Sequence, residues 1–212
     1  VLKSDVGLKK QVTTMARGGR RDDILSAATQ CFADEGYDRT TLRTIASAAG
    51  VKLSLVAYHF ETKLGLYRAV FERYQYVNEA RLVKLRAVDL GAPGALDEVI
   101  DAFLHIGTLA QSDSSLTNYR RLVLREASDP ASSERGIIVD LFDPMANEFI
   151  QCLETLLPGR PAGALRWSYL FAVGALTGSI NDSRERALSA GESSEVGVFE
   201  ALKSFLRAAW TA

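Results

Sequence analysis

The chain has 212 residues, 47% of them hydrophobic and 24% charged, with a formal net charge of -1, which suits a folded chain of one or two domains with an adequate core. No apolar run is long enough to span a bilayer, and Val1 to Lys10 lacks the apolar centre of a secretory signal, so a cytoplasmic address and no membrane partner are expected. Cys31 and Cys152 fall in apolar helical patterns as reduced small hydrophobes, His59 and His105 stand too far apart for a zinc site, and no phosphate loop, nucleophile elbow or catalytic set is present, so no enzyme, metal or cofactor is expected.

Residues 1–19 read as a basic amino-terminal tail, in which Met15 is a candidate initiator. Arg17, with Arg20 and Arg21 just after it, forms either an arm that touches nucleic acid or a disordered basic segment. Ile24, Leu25, Ala28, Cys31 and Phe32 then recur at helical spacing up to Gly36 and Tyr37. Thr40 or Thr41 can cap the next helix, whose apolar face is Leu42, Ile45, Ala46 and Ala49 and whose other face carries Arg43 and Thr44. Gly50 can take the positive φ that ends a helix abruptly. Val51, Leu55 or Val56, and Phe60 offer anchors for a second helix, with Leu53, Ser54, Ala57 and Tyr58 on its other sides. Two short helices joined by a tight turn make a helix-turn-helix, buried on one side and able to lie in a groove on the other. Residues 1–73 carry 12 Lys plus Arg against 8 Asp plus Glu, so the positive charge sits where phosphates would be met.

Ile45-Ala46, Ala49-Gly50-Val51, Tyr58-His59-Phe60 and Lys63-Leu64-Gly65-Leu66-Tyr67 stand in the order and spacing of one known family. The segment from about residue 20 to 74 resembles the DNA-binding domain of the TetR family of bacterial transcriptional regulators. The family commonly has Tyr at the position of Ala57 and Ser or Thr at those of Lys52 and Leu55, so some usual phosphate contacts are missing or moved. One subgroup of the family carries Leu53 and Tyr58-His59-Phe60, and this chain is similar to it.

Thr62 can cap a long helix from Lys63, with Leu66, Tyr67, Val70, Phe71, Tyr74, Val77, Leu82, Leu85 and Val88 recurring nearly to the Gly91-Ala92-Pro93-Gly94 break. Further helices are predicted over Leu96 to Leu109, Leu116 to Ala127, Ile137 to Leu157 with Pro144 starting, kinking or interrupting it, Leu165 to about Leu188, and Val198 to Trp210. About nine helices and no strand give an all-α chain: a three-helix head containing the helix-turn-helix at 20–62, and a larger helical effector-binding and dimerisation domain at 63–212.

Thr41, Arg43, Lys52, Ser54, Tyr58, His59 and Lys63 are the DNA-binding candidates: Arg43 reaching a guanine edge, and Thr41, Tyr58, His59 and Lys63 reaching phosphate. Tyr58 or His59 packing within the head is the alternative. Phe103, His105, Tyr119, Trp167 and Phe171 are candidates to line an effector cavity, or else ordinary core, and Arg120, Arg121 and Arg125 could pair an acidic ligand or form a solvated face. Gly174, Gly178, Phe199, Leu202 and Phe205 are candidates for a dimer interface, with packing inside one chain as the alternative. The resemblance implies a homodimeric regulator, a repressor released from a palindromic double-stranded operator by a small-molecule effector. The competing reading is a helical small-molecule binder or scaffold that does not read sequence.

Overall fold

The computed structural model describes residues 5–112, 115–179, 187–188 and 197–211. Residues 1–4, the Arg17 side chain, residues 180–186 of the helix expected to reach Leu188, and the expected connection at 189–194 lie outside the described residues. The described chain is helical throughout, with no strand, and divides into two compact units, Val1–Arg73 and Tyr74–Ala212.

The first unit holds α1 (Asp5–Glu35), α2 (Leu42–Ala48), α3 (Leu53–Phe60) and α4 (Lys63–Arg73). Residues 5–19, expected as a tail, continue α1 amino-terminally; the stretch has no proline, and Gly18 and Gly19 weaken a helix without stopping it. α1 packs against α2, α3 and α4, and Ile24, Leu25, Ala28 and Phe32 of α1, Ile45 of α2, Val56 of α3, and Leu66 and Val70 of α4 are all buried. Tyr67 packs edge-on against Phe32 at 4.7 Å and Tyr37 at 4.9 Å between ring centroids. Arg73 closes α4 onto α1, donating to the Asp22 carbonyl and the Ser26 hydroxyl, each at 3.1 Å. α4 therefore belongs with the head, and the division falls eleven positions after the one expected from the Thr62 cap.

The second unit holds α5 (Gln75–Arg86), α6 (Ala95–Ser112), α7 (Ser115–Ser128), α8 (Ser132–Arg135), α9 (Ile137–Leu141), α10 (Asp143–Leu156), α11 (Ala164–Gly178) and the last helix, α12 (Val198–Thr211). The single helix expected from Lys63 is thus two, broken at Tyr74. Tyr74 is itself buried, with its ring stacked on Tyr119 at 4.4 Å, so the apolar period runs through the break and hides it. Pro144 sits in the first turn of α10, where its fixed φ suits the start of a helix and its missing N–H is not needed, and the span 137–157 is α9 followed by α10.

α6 packs against α5, α10 and α12. Its Phe103 is fully buried, edge-on to Phe149 at 5.6 Å, Tyr169 at 5.8 Å and Trp210 at 6.3 Å. Arg207 and Lys203 of α12 pair with Asp97 and Asp101 of α6 at 2.5 and 2.6 Å. Arg86 of α5 makes a two-pronged contact with Glu148 of α10 at 2.8 and 2.6 Å. α7 and α8 are joined by a buried cluster: Arg135 meets Glu126 at 2.8 Å and Asp129 at 2.6 Å, while the Ser132 hydroxyl donates to Glu126 at 3.0 Å.

Candidate nucleic-acid interface and ligand cavity

Thr41, rather than Thr40, caps α2: its hydroxyl oxygen accepts from the Thr44 amide at 3.0 Å. Thr40 is buried and donates to the Gly36 carbonyl at 2.7 Å, holding the α1–α2 turn. Gly50 takes φ 63°, a left-handed conformation that favours glycine, and the chain turns into α3 with the Val51 amide donating to the Ala46 carbonyl at 2.9 Å. Ile45 and Ala46 of α2 and Val56 and Phe60 of α3 face inward. That orientation leaves Thr41, Arg43, Lys52, Leu53, Ser54, Ala57 and Tyr58 exposed.

Lys52, Ser54 and Tyr58 border one shallow hollow together with Arg20 of α1 and the Gly50-Val51 turn. Tyr58 is 70% exposed. Lys52 stands at the cap position of α3 without a side-chain hydrogen bond to that helix. Arg43 and Thr41 are exposed on α2 outside this hollow. Arg21 lies over the Phe60 ring, 5.2 Å from its centroid, so of the two arginines only Arg20 borders the hollow.

His59 and Lys63 are turned inward more than the other candidates. His59 is half-buried between the Tyr58 and Phe60 rings, and its buried Nε2 has no hydrogen-bond partner. The Lys63 ammonium donates to the Asp38 carbonyl at 3.1 Å and lies 4.3 Å from the Tyr37 ring centroid. Burial pushes its pKa below the usual lysine range, and the charge of Asp38 opposes that shift. Between these residues Glu61 takes φ 58°, a strained conformation for a side chain with a β-carbon, so the α3–α4 turn is set by packing on both sides rather than by residue preference.

The second unit encloses a cavity of about 540 Å³, walled by residues of α5 to α11 that include Ile106, Val123, Met145, Ile150 and Val173. Of the residues expected to line it, Tyr119 does, with its hydroxyl pKa raised by burial. Phe103 lies in the aromatic core instead. His105 is half-buried off the cavity; burial lowers its pKa, and the positive charges of Lys84 and Arg81 add to that. Trp167 and Phe171 point outward, 63% and 67% exposed, their rings stacked at 5.9 Å. Size and polarity do not decide which face a helical residue occupies; position 167 shares a stripe with 171, 174 and 178.

Arg120 also lines the cavity, whereas Arg125 is exposed and Arg121 donates to Asn118 at 3.4 Å. The residue missed at the sequence level is Arg81, only 5% exposed and part of the cavity wall. It stands four positions after Val77 and four before Leu85, so a charge inside an apolar stripe was the available sign.

Gly174 and Gly178 present open space where a side chain would begin, and they share the outer face of α11 with Trp167 and Phe171. Phe205 of α12 is 58% exposed. Leu202 is buried, and Phe199 is turned inward, its ring directly against Gly107 of α6 with the Arg120 guanidinium 5.5 Å from its centroid. Those two side chains hold α12 to its own chain. Among the described residues no group of His, Cys, Asp and Glu could hold a metal ion, and no helix is long and apolar enough to cross a membrane.

Residues 24–70 match the family model described as bacterial regulatory proteins, tetR family, and residues 106–209 match that of the tetracyclin repressor-like C-terminal domain. The HTH-type transcriptional activator FasR of Mycolicibacterium smegmatis is 36% identical over 72 residues, 34% of this chain and 33% of that protein. The HTH-type transcriptional repressor BepR of Brucella suis biovar 1 is 33% identical over 69 residues, 32% of this chain and 33% of that one. The chain thus spans about a third of the length of the curated relatives it matches. Among solved structures, the fatty acid degradation regulator FadR of Bacillus halodurans superposes with a TM-score of 0.61 at 19% identity, over 90% of this chain and 94% of that one. The hemolysin II transcriptional regulator HlyIIR gives 0.59 at 18% identity, over 91% and 97%. At these identities the structural likeness speaks for the fold.

Proposed function

Because the chain belongs to the tetR family of bacterial regulatory proteins, we propose that it is a cytoplasmic, homodimeric repressor that leaves a palindromic operator when a small molecule fills its body cavity. The observation that carries the DNA-binding half is the sidedness of α2 and α3: Ile45, Ala46, Val56 and Phe60 are buried, while Arg43, Lys52, Ser54 and Tyr58 are left outside together. An exposed α3 with a basic residue at its start and a tyrosine near its end has the form of a helix that enters a major groove and is held by flanking phosphates. Arg43 is assigned to a base edge and Thr41, Lys52, Ser54 and Tyr58 to the backbone. His59 and Lys63 support the interface from behind, with the Lys63 ammonium at its margin.

Two heads on a two-fold axis must meet successive major grooves, so the operator is expected to be palindromic. The outward stripe of Trp167, Phe171, Gly174 and Gly178, with Phe205, is the surface proposed to pair the two copies. A ligand that binds more tightly to the state whose head spacing does not fit shifts the population away from DNA. No catalytic step is assigned to any residue.

Selection from a random duplex pool, followed by titration of the recovered site at several salt concentrations, tests this function. A palindromic consensus is expected, with affinity falling steeply as salt rises and a preference over random duplex retained. Recovery of no consensus, with equal weak binding to all duplexes, would favour the helical binder without sequence reading.

A further inference from the structure

We propose that the cavity of the second unit takes an amphipathic carboxylate, with Arg81 as the anchor for its anionic end. Within the family reading this assigns the chemical class of the effector, and it rests on that reading only for the consequence at DNA.

Arg81 is 5% exposed and lines the cavity, yet it makes no hydrogen bond or ion pair with any described residue, and its buried Nε has no partner. It is held instead between aromatic faces, its guanidinium carbon 5.0 Å from the Phe103 centroid and 5.3 Å from that of Phe149. Ring faces orient a guanidinium and offset part of its desolvation, but they do not satisfy its five N–H donors. Burial lowers its pKa, yet arginine starts so high that it keeps its charge in the physiological range. Arg135, also buried in this unit, is treated differently: it is closed off by Glu126 and Asp129. A buried charge that lacks such partners is costly unless something supplies them.

The remaining wall fits an anion with an apolar body. Arg81, Arg120 and Arg166 line the cavity against one described carboxylate, Asp143, whose pKa is raised by burial toward the neutral form. Ile106, Val123, Met145, Ile150 and Val173 supply an apolar chamber, and about 540 Å³ lies within the range of roughly 300–1,000 Å³ common to small-molecule sites. Carboxylate is the anion favoured over phosphate, since one planar fork matched to one carboxylate in an apolar chamber leaves fewer ligand oxygens unpaired.

The test titrates the full chain, without DNA, with octanoate and decanoate, the matched primary alcohols, amides and amines, and octyl phosphate. The wild type is expected to bind the best carboxylate at least about tenfold more tightly than its neutral counterparts, and the amine least. Arg81→Met keeps the length of the side chain and removes the charge, so it should lose that preference while keeping the alcohol affinity. Arg81→Lys should retain a reduced preference, because the charge remains and the fork is gone. Melting curves of each variant establish that it is folded.

Equal affinity of the wild type for acid and alcohol, preference for the amine or the phosphate, no binding by any member of the series, or a preference unchanged in folded Arg81→Met overturns the proposal. Repeating the titration with the selected operator separates the two readings. Carboxylate binding that depends on Arg81 but leaves operator affinity unchanged sustains this site and counts against the effector-released repressor.

Discussion

The ammonium of Lys63 and the ring of Tyr37 face each other at 4.3 Å, joining the start of α4 to the turn after α1. The same ammonium donates to the Asp38 carbonyl, so a side chain expected to be free for phosphate is already part of the head. Lys63→Ala is therefore expected to lower the stability of the first unit by about 0.5–1 kcal/mol as well as weakening DNA binding. Lys63→Arg should restore part of both. Paired melting and binding titrations check this; an unchanged melting temperature in Lys63→Ala would show that the ring contact contributes nothing.

Arg43 is exposed on α2 and lies outside the hollow bordered by Lys52, Ser54 and Tyr58. Replacing it with alanine is expected to cost roughly 1–3 kcal/mol on the selected operator and to relax the preference at one base position per half-site. Lys52→Ala should weaken all duplexes alike and flatten the salt dependence by about one charge. Binding measured on a panel of single-base operator variants distinguishes them, and a uniform loss for Arg43→Ala would move it to the backbone class.

Phe171→Glu places a charge on the outward stripe of α11 and is expected to convert a dimer into monomers without lowering the melting temperature of the single chain. Gly178→Leu should do the same by filling the open space above α11. Leu202→Ala, by contrast, removes a buried contact of α12 with its own chain and should cost about 2–5 kcal/mol of stability. Sedimentation velocity over a range of concentrations checks the first two; a dimer unaffected by both would place the interface elsewhere.

Glu126→Gln leaves Arg135 buried with its main partner weakened, and a loss of about 3–5 kcal/mol is expected by analogy with broken buried pairs. Replacing Glu126 and Arg135 together with Leu and Met should be far milder. Asp129 adds a pH signature: the Ala131 amide first, and then Arg135, hold its carboxyl below the usual carboxylate range. Its folded pKa lies below its unfolded one, so it stabilises above the ordinary Asp value and that contribution is lost as pH falls through the folded pKa. Asp129→Asn should flatten the acid side of the stability curve, measured by denaturant titration between pH 2 and 6; an unchanged slope would show that the cluster does not hold this proton.

The inner faces of α2 and α3 were legible because helical period alone decides them: Ile45, Ala46, Val56 and Phe60 are buried as their spacing requires. Lys63 was less so, since its inward contacts come from Tyr37 and from Asp38, 25 positions earlier in the chain. Arg81 and Glu126 sit inside apolar stripes, where a single charge is easily taken for the polar margin of a helix; only tertiary packing shows that both are buried. The bulk of Trp167 and Phe171 suggests a cavity wall, but their stripe also contains Gly174 and Gly178, and a shared stripe shares its surroundings.

The two tryptophans of the chain occupy opposite environments, Trp210 at 2% exposure and Trp167 at 63%. Indole emission shifts to shorter wavelength when water is excluded, so the molecule carries two internal fluorescent reporters. In dilute solution the red edge of the spectrum belongs to Trp167 and the blue edge to Trp210. If two copies close over the outward stripe of α11, concentrating the protein moves only the red component, while denaturant moves the blue one, and chain pairing can be followed optically without any label.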